Sequence, residues 1–274
     1  MTEQKKPLDL AGDLVDRALK AGADSADAVA FSDTSLSVNW RMGALEELER
    51  SESTDLGLRV FVGQRMAIVS TTDPSDSTLG ELVERAVAMA KIAPEDKLAG
   101  LAETELLATE FPDLDLDAND EPAPERLMAM AQEAEDAARS VEGITNTEGA
   151  STGWNRITSA LAASNGFQGS HSGTSSSISA AVIAGEGLGM ERDGDYRVAR
   201  HMEDLPSPAE IGAEAARRPL LKLNPKKLPT KAMPIVFDDR NARSLLGHFI
   251  DAISGPAITR GTSFLKDSMG KGVF

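Results

Sequence analysis

The 274-residue chain has no cysteine and only three histidines. Without thiols there can be no disulfide, no cysteine nucleophile and no cysteine-bearing zinc or iron–sulfur site, so His, Asp and Glu are the only side chains left to ligate a metal. Cations are also scarce: 28 Lys and Arg face 44 Asp and Glu, a net charge of −16. Such a field repels phosphate backbones, because nucleic-acid affinity comes largely from counterion release by Lys and Arg. No direct nucleic-acid ligand is expected. No stretch is long and apolar enough to span a membrane, and the opening MTEQKKPLDL lacks the apolar core of a signal peptide. A cytoplasmic protein with no membrane partner is the expectation.

What is present reads as an α+β chain. Leu8, Leu10, Ala11, Leu14, Val15, Ala18 and Leu19 recur at helical spacing before Gly22. Ala28–Phe31, Leu36–Trp40, Leu56–Val62 and Met66–Ser70 alternate as strands, with a hairpin turn at Gly63 and Gln64, which predicts an antiparallel meander with one buried face. Apolar stripes predict helices over Thr78–Lys91, Glu125–Arg139 and Pro208–Leu221. The acidic, proline-containing stretch Leu101–Pro124 has no period and reads as a connector, with Asp113, Asp115, Asp117 and Asp120 in a solvated loop that lacks the glycine and closing glutamate of a calcium site. Gly149–His201 is rich in Gly, Ser and Thr, as suits long twisted strands whose backbones approach closely.

Lys222–Lys231 is basic and proline-rich and reads as a linker. The expected organisation is an N-terminal domain of antiparallel sheet packed with helices over 1–222, a linker over 223–231, and over 232–274 the start of a β-rich C-terminal domain that is cut short. A strand over Pro234–Phe237 and a helix over Asn241–Ile253 are expected there. Fewer than about 40 residues rarely sustain a core alone.

The catalytic inventory is thin. A hydrolytic zinc needs three protein ligands, an open position and a general base. His171 lies in GSHSGTSSS, His201 ends a strand pattern, and His248 lies one helical turn from Asp251 with no third ligand near in sequence. The serines around His171 come without a Gly-x-Ser-x-Gly elbow. GEGLG at 185–189 lacks a Walker lysine and a following helix, and reads as a hairpin turn.

Three motifs, NGFQG (165–169), MERDGDYRVAR (190–200) and LLGHFIDAISGPAITRGTSFL (245–265), resemble the TldD/TldE family, also called PmbA/TldD or modulators of DNA gyrase, and its TldE/PmbA branch in particular. The resemblance runs from the first helix to the last residue. It implies one subunit of a heterodimeric zinc metalloprotease that processes unfolded peptides, as in peptide antibiotic maturation and antitoxin degradation. In that family the metal sits on the TldD-like subunit, held by H-E-x-x-x-H on a helix and a later Cys. The matching helix here reads LLGHFIDAISG, with one His, no adjacent Glu and no second His. The resemblance therefore implies the non-metal subunit: no catalytic residue and no metal ligand in this chain and zinc in the partner, with homodimer or monomer left open when that partner is absent. Asn165, Phe167, Arg192, Tyr196, His248, Asp251 and Arg260 are the residues it offers as substrate or partner contacts. A regulatory binding protein acting on DNA gyrase or a toxin–antitoxin system is the alternative.

Overall fold

A computed structural model of the chain describes residues 6–118 and 120–273. The chain divides into two compact units, Met1–Pro225 and Lys226–Phe274.

In the first unit, α1 (Pro7–Lys20) carries proline in its first turn, where a missing N–H leaves no bond unmade, and buries Leu10, Ala11, Leu14, Val15 and Ala18. It closes at Gly22, whose φ of +98° lets its own N–H reach the Leu19 carbonyl and the Ala23 N–H reach Ala18. Then follow β1 (Ser25–Arg41), β2 (Ala44–Val62), β3 (Arg65–Thr71), α2 (Asp76–Ile92), α3 (Pro124–Arg139), β4 (Ile144–Ala163), β5 (Gln168–Ala184), β6 (Glu191–Ala199) and α4 (Pro208–Lys222). The six strands form one antiparallel sheet in the order β3-β2-β1-β4-β5-β6.

One face of this sheet carries all four helices. Along β1 the even-numbered Ala26, Ala28, Ala30, Leu36 and Val38 are buried. Towards the start of β1, α1 and α2 pack on Leu56, Leu58, Val60, Ala67, Val69 and Ala162. Towards its end, Leu127, Ala131 and Ala134 of α3 and Ile211 and Ala215 of α4 pack on Leu36, Val38, Trp154, Ile178 and Ala180. Alanine is the commonest residue in both contacts, so helix and sheet backbones come close, and leucines such as Leu14, Leu58 and Leu127 are fully enclosed. Burial of one such leucine contributes roughly 1.5–3 kcal/mol. The α4 start is fixed by a capping box: Ser207 Oγ accepts the Glu210 N–H, and the Glu210 carboxylate accepts from the Ser207 backbone.

Two expectations change. The segments Ala28–Phe31 and Leu36–Trp40 are one 17-residue strand, and β2 begins at Ala44 rather than Leu56. The added stretch ALEELERSESTD is exposed on both faces apart from a partly covered Thr54, so it has no apolar alternation to betray it. Register with β1 holds it extended instead. In the second unit, Pro234–Phe237 forms no strand; Ile235 and Val236 are 70% and 96% exposed. A strand exists only against a partner, and among the described residues of that unit none is offered. The unit holds α5 (Asp239–Ile253) and α6 (Gly255–Thr259), with Ser263 Oγ donating to the Ala252 carbonyl at 2.5 Å.

Candidate functional site

The sheet face without helices carries an array of small polar side chains. Its residues follow from register: Asp33, Ser35, Ser37 and Asn39 of β1 stand beside Ile157, Asn155, Gly153 and Ser151 of β4, and these beside Gly173, Ser175, Ser177 and Ser179 of β5. All but the buried Gly173 are half-buried. Asn155 donates to Asp33 at 3.2 Å, and Ser151 donates to Asn39, which donates to Glu47 of β2. A Cβ on Gly153 would lie 3.0 Å from Ser177 Oγ, so glycine keeps the floor low there. The result is a shallow polar floor of hydroxyls and amides, which can both donate and accept. Neither a nucleophile elbow nor a base beside a serine is built into it. Sequence reasoning missed this array; its trace is the every-second-residue serine in SLS (35–37) and SSSIS (175–179).

Arg192 and Tyr196 lie on β6, at the rim of this face. Tyr196 stands opposite Ser179 and is 43% exposed, while Arg192 is paired with Glu148 at 2.9 Å. Between them on the other face, Asp195 is buried with Arg197 at 2.8 Å and Arg218 of α4 at 3.7 Å, an ion cluster that ties the edge strand to its helix.

Asn165 and Phe167 sit roughly 35 Å away along the sheet, in the β4–β5 turn, given about 3.3 Å per strand residue. They are engaged by the acidic connector rather than by an open surface. Asn165 Nδ2 donates to the Ala102 carbonyl at 2.9 Å, and Phe167 meets Phe111 edge to face with centroids 6.0 Å apart. The connector is pinned at three further points: Asp117 accepts a forked bond from Arg156, Asp115 presents its carbonyl to His201 Nε2 at 3.0 Å, and Glu121 accepts from Arg50 at 2.6 Å. Its Leu116 carbonyl also takes the Thr174 N–H at 2.8 Å, on the stretch of β5 that β6 does not reach. The aspartates expected in a solvated loop thus include two that fasten a strap. The Asp115 carbonyl and the neighbouring carboxylates raise the His201 imidazole above its ordinary value of 6.5. Arg50 lowers the Glu121 carboxyl.

In the second unit, His248 and Asp251 are exposed on α5 and Arg260 caps the end of α6. The resemblance places zinc on a partner rather than on these residues. Among the described residues no three His, Asp or Glu side chains converge on a point where an ion could sit. The described residues also contain no helix long and apolar enough to cross a membrane.

Comparisons with known proteins cover most of the chain. Residues 26–90 match the PmbA/TldA metallopeptidase domain 1, 117–223 the central domain and 230–274 the C-terminal domain. Metalloprotease PmbA of Escherichia coli is 37% identical over 250 residues, which is 91% of this chain and 56% of that protein. The PmbA homologue of Haemophilus influenzae is 35% identical over 94% of this chain and 57% of its own length. The chain therefore spans just over half the length of the curated relatives it matches. A Bacteroides thetaiotaomicron crystal structure, assigned as a candidate modulator of DNA gyrase, superposes with a TM-score of 0.86 at 28% identity over 94% of this chain and 59% of that one. TldE from Thermococcus kodakarensis shares the fold, with a TM-score of 0.72 at 17% identity over 93% and 57% of the two chains. With three consecutive domains matched and PmbA proteins as its relatives, the chain belongs to the PmbA/TldD family, on its TldE/PmbA side.

Proposed function

We propose that this chain is the non-metal subunit of a cytoplasmic two-chain peptidase, in which a TldD-like partner holds zinc by H-E-x-x-x-H and this chain holds the unfolded peptide. The observation that carries the reading is the pairing of family membership over three domains with an α5 that offers His248 and Asp251 but no third ligand. A lone histidine cannot fix a zinc or generate hydroxide at neutral pH. The sheet, by contrast, has what an unfolded chain needs: a hydroxyl- and amide-lined floor, and strand edges whose backbone groups bind extended peptides with little regard to sequence. Asn165 and Phe167 would act through the connector they hold, and Arg192 and Tyr196 at the rim of the floor. Peptide antibiotic precursors and labile antitoxins are the substrate classes this reading takes over from the family resemblance.

The test is cleavage of an unfolded peptide by this chain alone, by a TldD-like partner alone, and by both. Cleavage that needs both chains supports the reading. Chelator-sensitive cleavage by this chain alone refutes it.

A further inference from the structure

Four stretches of strand edge in the first unit bear on strand addition, and three of them are short or partly engaged by their own neighbours. The part of β5 that β6 leaves uncovered is taken by the connector, through the Thr174 N–H to Leu116 carbonyl bond. On β6 the Gly194 N–H is taken by the Asp193 carboxylate at 2.7 Å, and Asp193 is held in turn by Lys222 of α4 at 2.8 Å. β3 is seven residues long, and the Gln64 carbonyl at its turn already accepts the Asp96 N–H.

The fourth is different. β3 pairs with β2 only over Leu56–Val62, so among the described residues Ala44–Asp55 has a partner, β1, on one side alone. Along an antiparallel edge, alternate residues turn their N–H and C=O outward. Over these twelve residues, nearly all of them exposed, about half therefore turn their backbone donors and acceptors away from β1. Natural edges of this length are usually blocked by lysine, proline or an inward charge. Neither lysine nor proline occurs here, and five acids, Glu46, Glu47, Glu49, Glu52 and Asp55, face one base, Arg50, so the edge is guarded against acidic strands but not against basic ones. Arg50 is already occupied by Glu52 and Glu121.

We propose that the free edge Ala44–Asp55 of β2 binds an extended peptide rich in basic side chains, by adding it as a further strand. Backbone bonds supply affinity that is tolerant of sequence, and Glu47, Glu49 and Asp55 on the open face select lysine and arginine on the added strand, where opposite charges across a strand pair attract. A second copy of this chain is disfavoured, because two such edges both carry an excess of acid and repel one another. The inference rests on the peptide-holding role proposed above and names its site and substrate class.

The probe is a fluorescein-labelled ten-residue Lys-Thr repeat, with a Glu-Thr repeat and an alternately N-methylated Lys-Thr repeat as comparisons, titrated into the full chain and followed by polarisation and by amide hydrogen exchange. The expected result is saturable binding of the lysine probe, at least about tenfold tighter than the glutamate probe, with new protection confined to residues 44–55. N-methylation removes alternate backbone donors and should weaken binding by about tenfold, a loss of about 1.4 kcal/mol. The double substitution Glu47→Lys with Glu49→Lys, both on exposed positions, should reverse the charge ranking.

No saturable binding of the lysine probe overturns the inference. So does binding indifferent to N-methylation, which marks a mere charged patch, or protection that falls on β6. Protection of 44–55 that grows with protein concentration in the absence of peptide would assign the edge to a second copy and overturn it as well. Because binding is measured on this chain alone, a two-chain mixture that fails to cleave while the edge still binds refutes only the subunit reading.

Discussion

The carboxylate of Glu135, completely enclosed within α3, accepts the backbone N–H of Met42 at 2.7 Å, and its second oxygen accepts that of Gly43 at 2.8 Å. Met42 and Gly43 are the two-residue β1–β2 turn, with φ of +54° and +77°, the pattern of a type I′ hairpin. A helix side chain thus fixes the tip of the hairpin that carries the free β2 edge. Arg139, 3.8 Å away, offsets part of the buried charge.

Glu135→Gln keeps the shape but replaces one acceptor oxygen with a donor facing a donor. The expected loss is about 1–3 kcal/mol, the range for leaving buried hydrogen-bonding groups unmatched, with faster amide exchange at 42–46. Urea unfolding with exchange read by mass spectrometry measures both. A variant as stable as the parent, with an unchanged turn, would show that the clamp is dispensable.

Gly212 of α4 lies where α3 and α4 cross. An added Cβ would come within 2.2 Å of the Ala134 carbonyl and 2.8 Å of the Ala137 Cβ. Alanine is the better helix former by about 1 kcal/mol, yet the clash is with backbone that cannot step aside. Gly212→Ala is therefore expected to destabilise the first unit by about 1–3 kcal/mol. A melting temperature equal to or above the parent's would show that the crossing can open without loss.

The connector should be loosened locally without unfolding the sheet. Asp117→Asn removes a partly exposed ion pair with Arg156, an interaction of the kind that contributes roughly 0–1 kcal/mol to global stability. Limited proteolysis should then cut within 101–118 several times faster, while the urea midpoint stays within error. An unchanged cleavage pattern would mean that the Phe111–Phe167 and Asn165 contacts hold the strap alone.

His201 gives the same strap a pH dependence. Its folded-state value is raised by the Asp115 carbonyl first and by nearby carboxylates after it, so the tether is fully made below the ordinary 6.5 and weakens as pH rises through the raised value. Exchange at 113–117, corrected for intrinsic rates, should increase from neutral to alkaline pH in the parent. In His201→Ala it should be flat; a parent-like rise in that variant would place the titrating group elsewhere.

His248→Ala separates a ligand from a surface residue. Cleavage by the two-chain mixture should stay within a few-fold of the parent, and the purified chain should carry well under one zinc, since a site needs about three protein ligands plus water or four in all. Loss of nearly all turnover with the zinc still bound to the partner would give His248 a catalytic role.

Much of this architecture could be read from the chain before folding was considered. The stripes of α1 to α4 and the Gly63-Gln64 turn are local signals, and each of these elements formed where its period lay, whereas the serine alternation was a local signal that went unread. The β2 edge was illegible for a physical reason: with solvent on both faces, no residue from Ala44 to Ser53 is selected for apolarity, and only pairing with β1 makes the segment a strand. Asn165 and Phe167 were visible as a motif, but their occupation by Ala102 and Phe111, some 60 residues earlier, is a tertiary fact.

Composition by itself limited the metal-ligating side chains that these 274 residues can offer. With no thiol and three histidines far apart in sequence, only His, Asp and Glu among them could ligate a metal, and 44 acids against 28 bases set a net charge of −16. What only the tertiary structure decided is which acids work together. Asp117 and Glu121 are consumed in holding the connector and Glu135 in holding a turn, because long-range register and helix packing bring Arg156, Arg50 and the Met42 N–H to them. Glu47, Glu49 and Asp55 are left along an open backbone edge, because β3 ends before it reaches them.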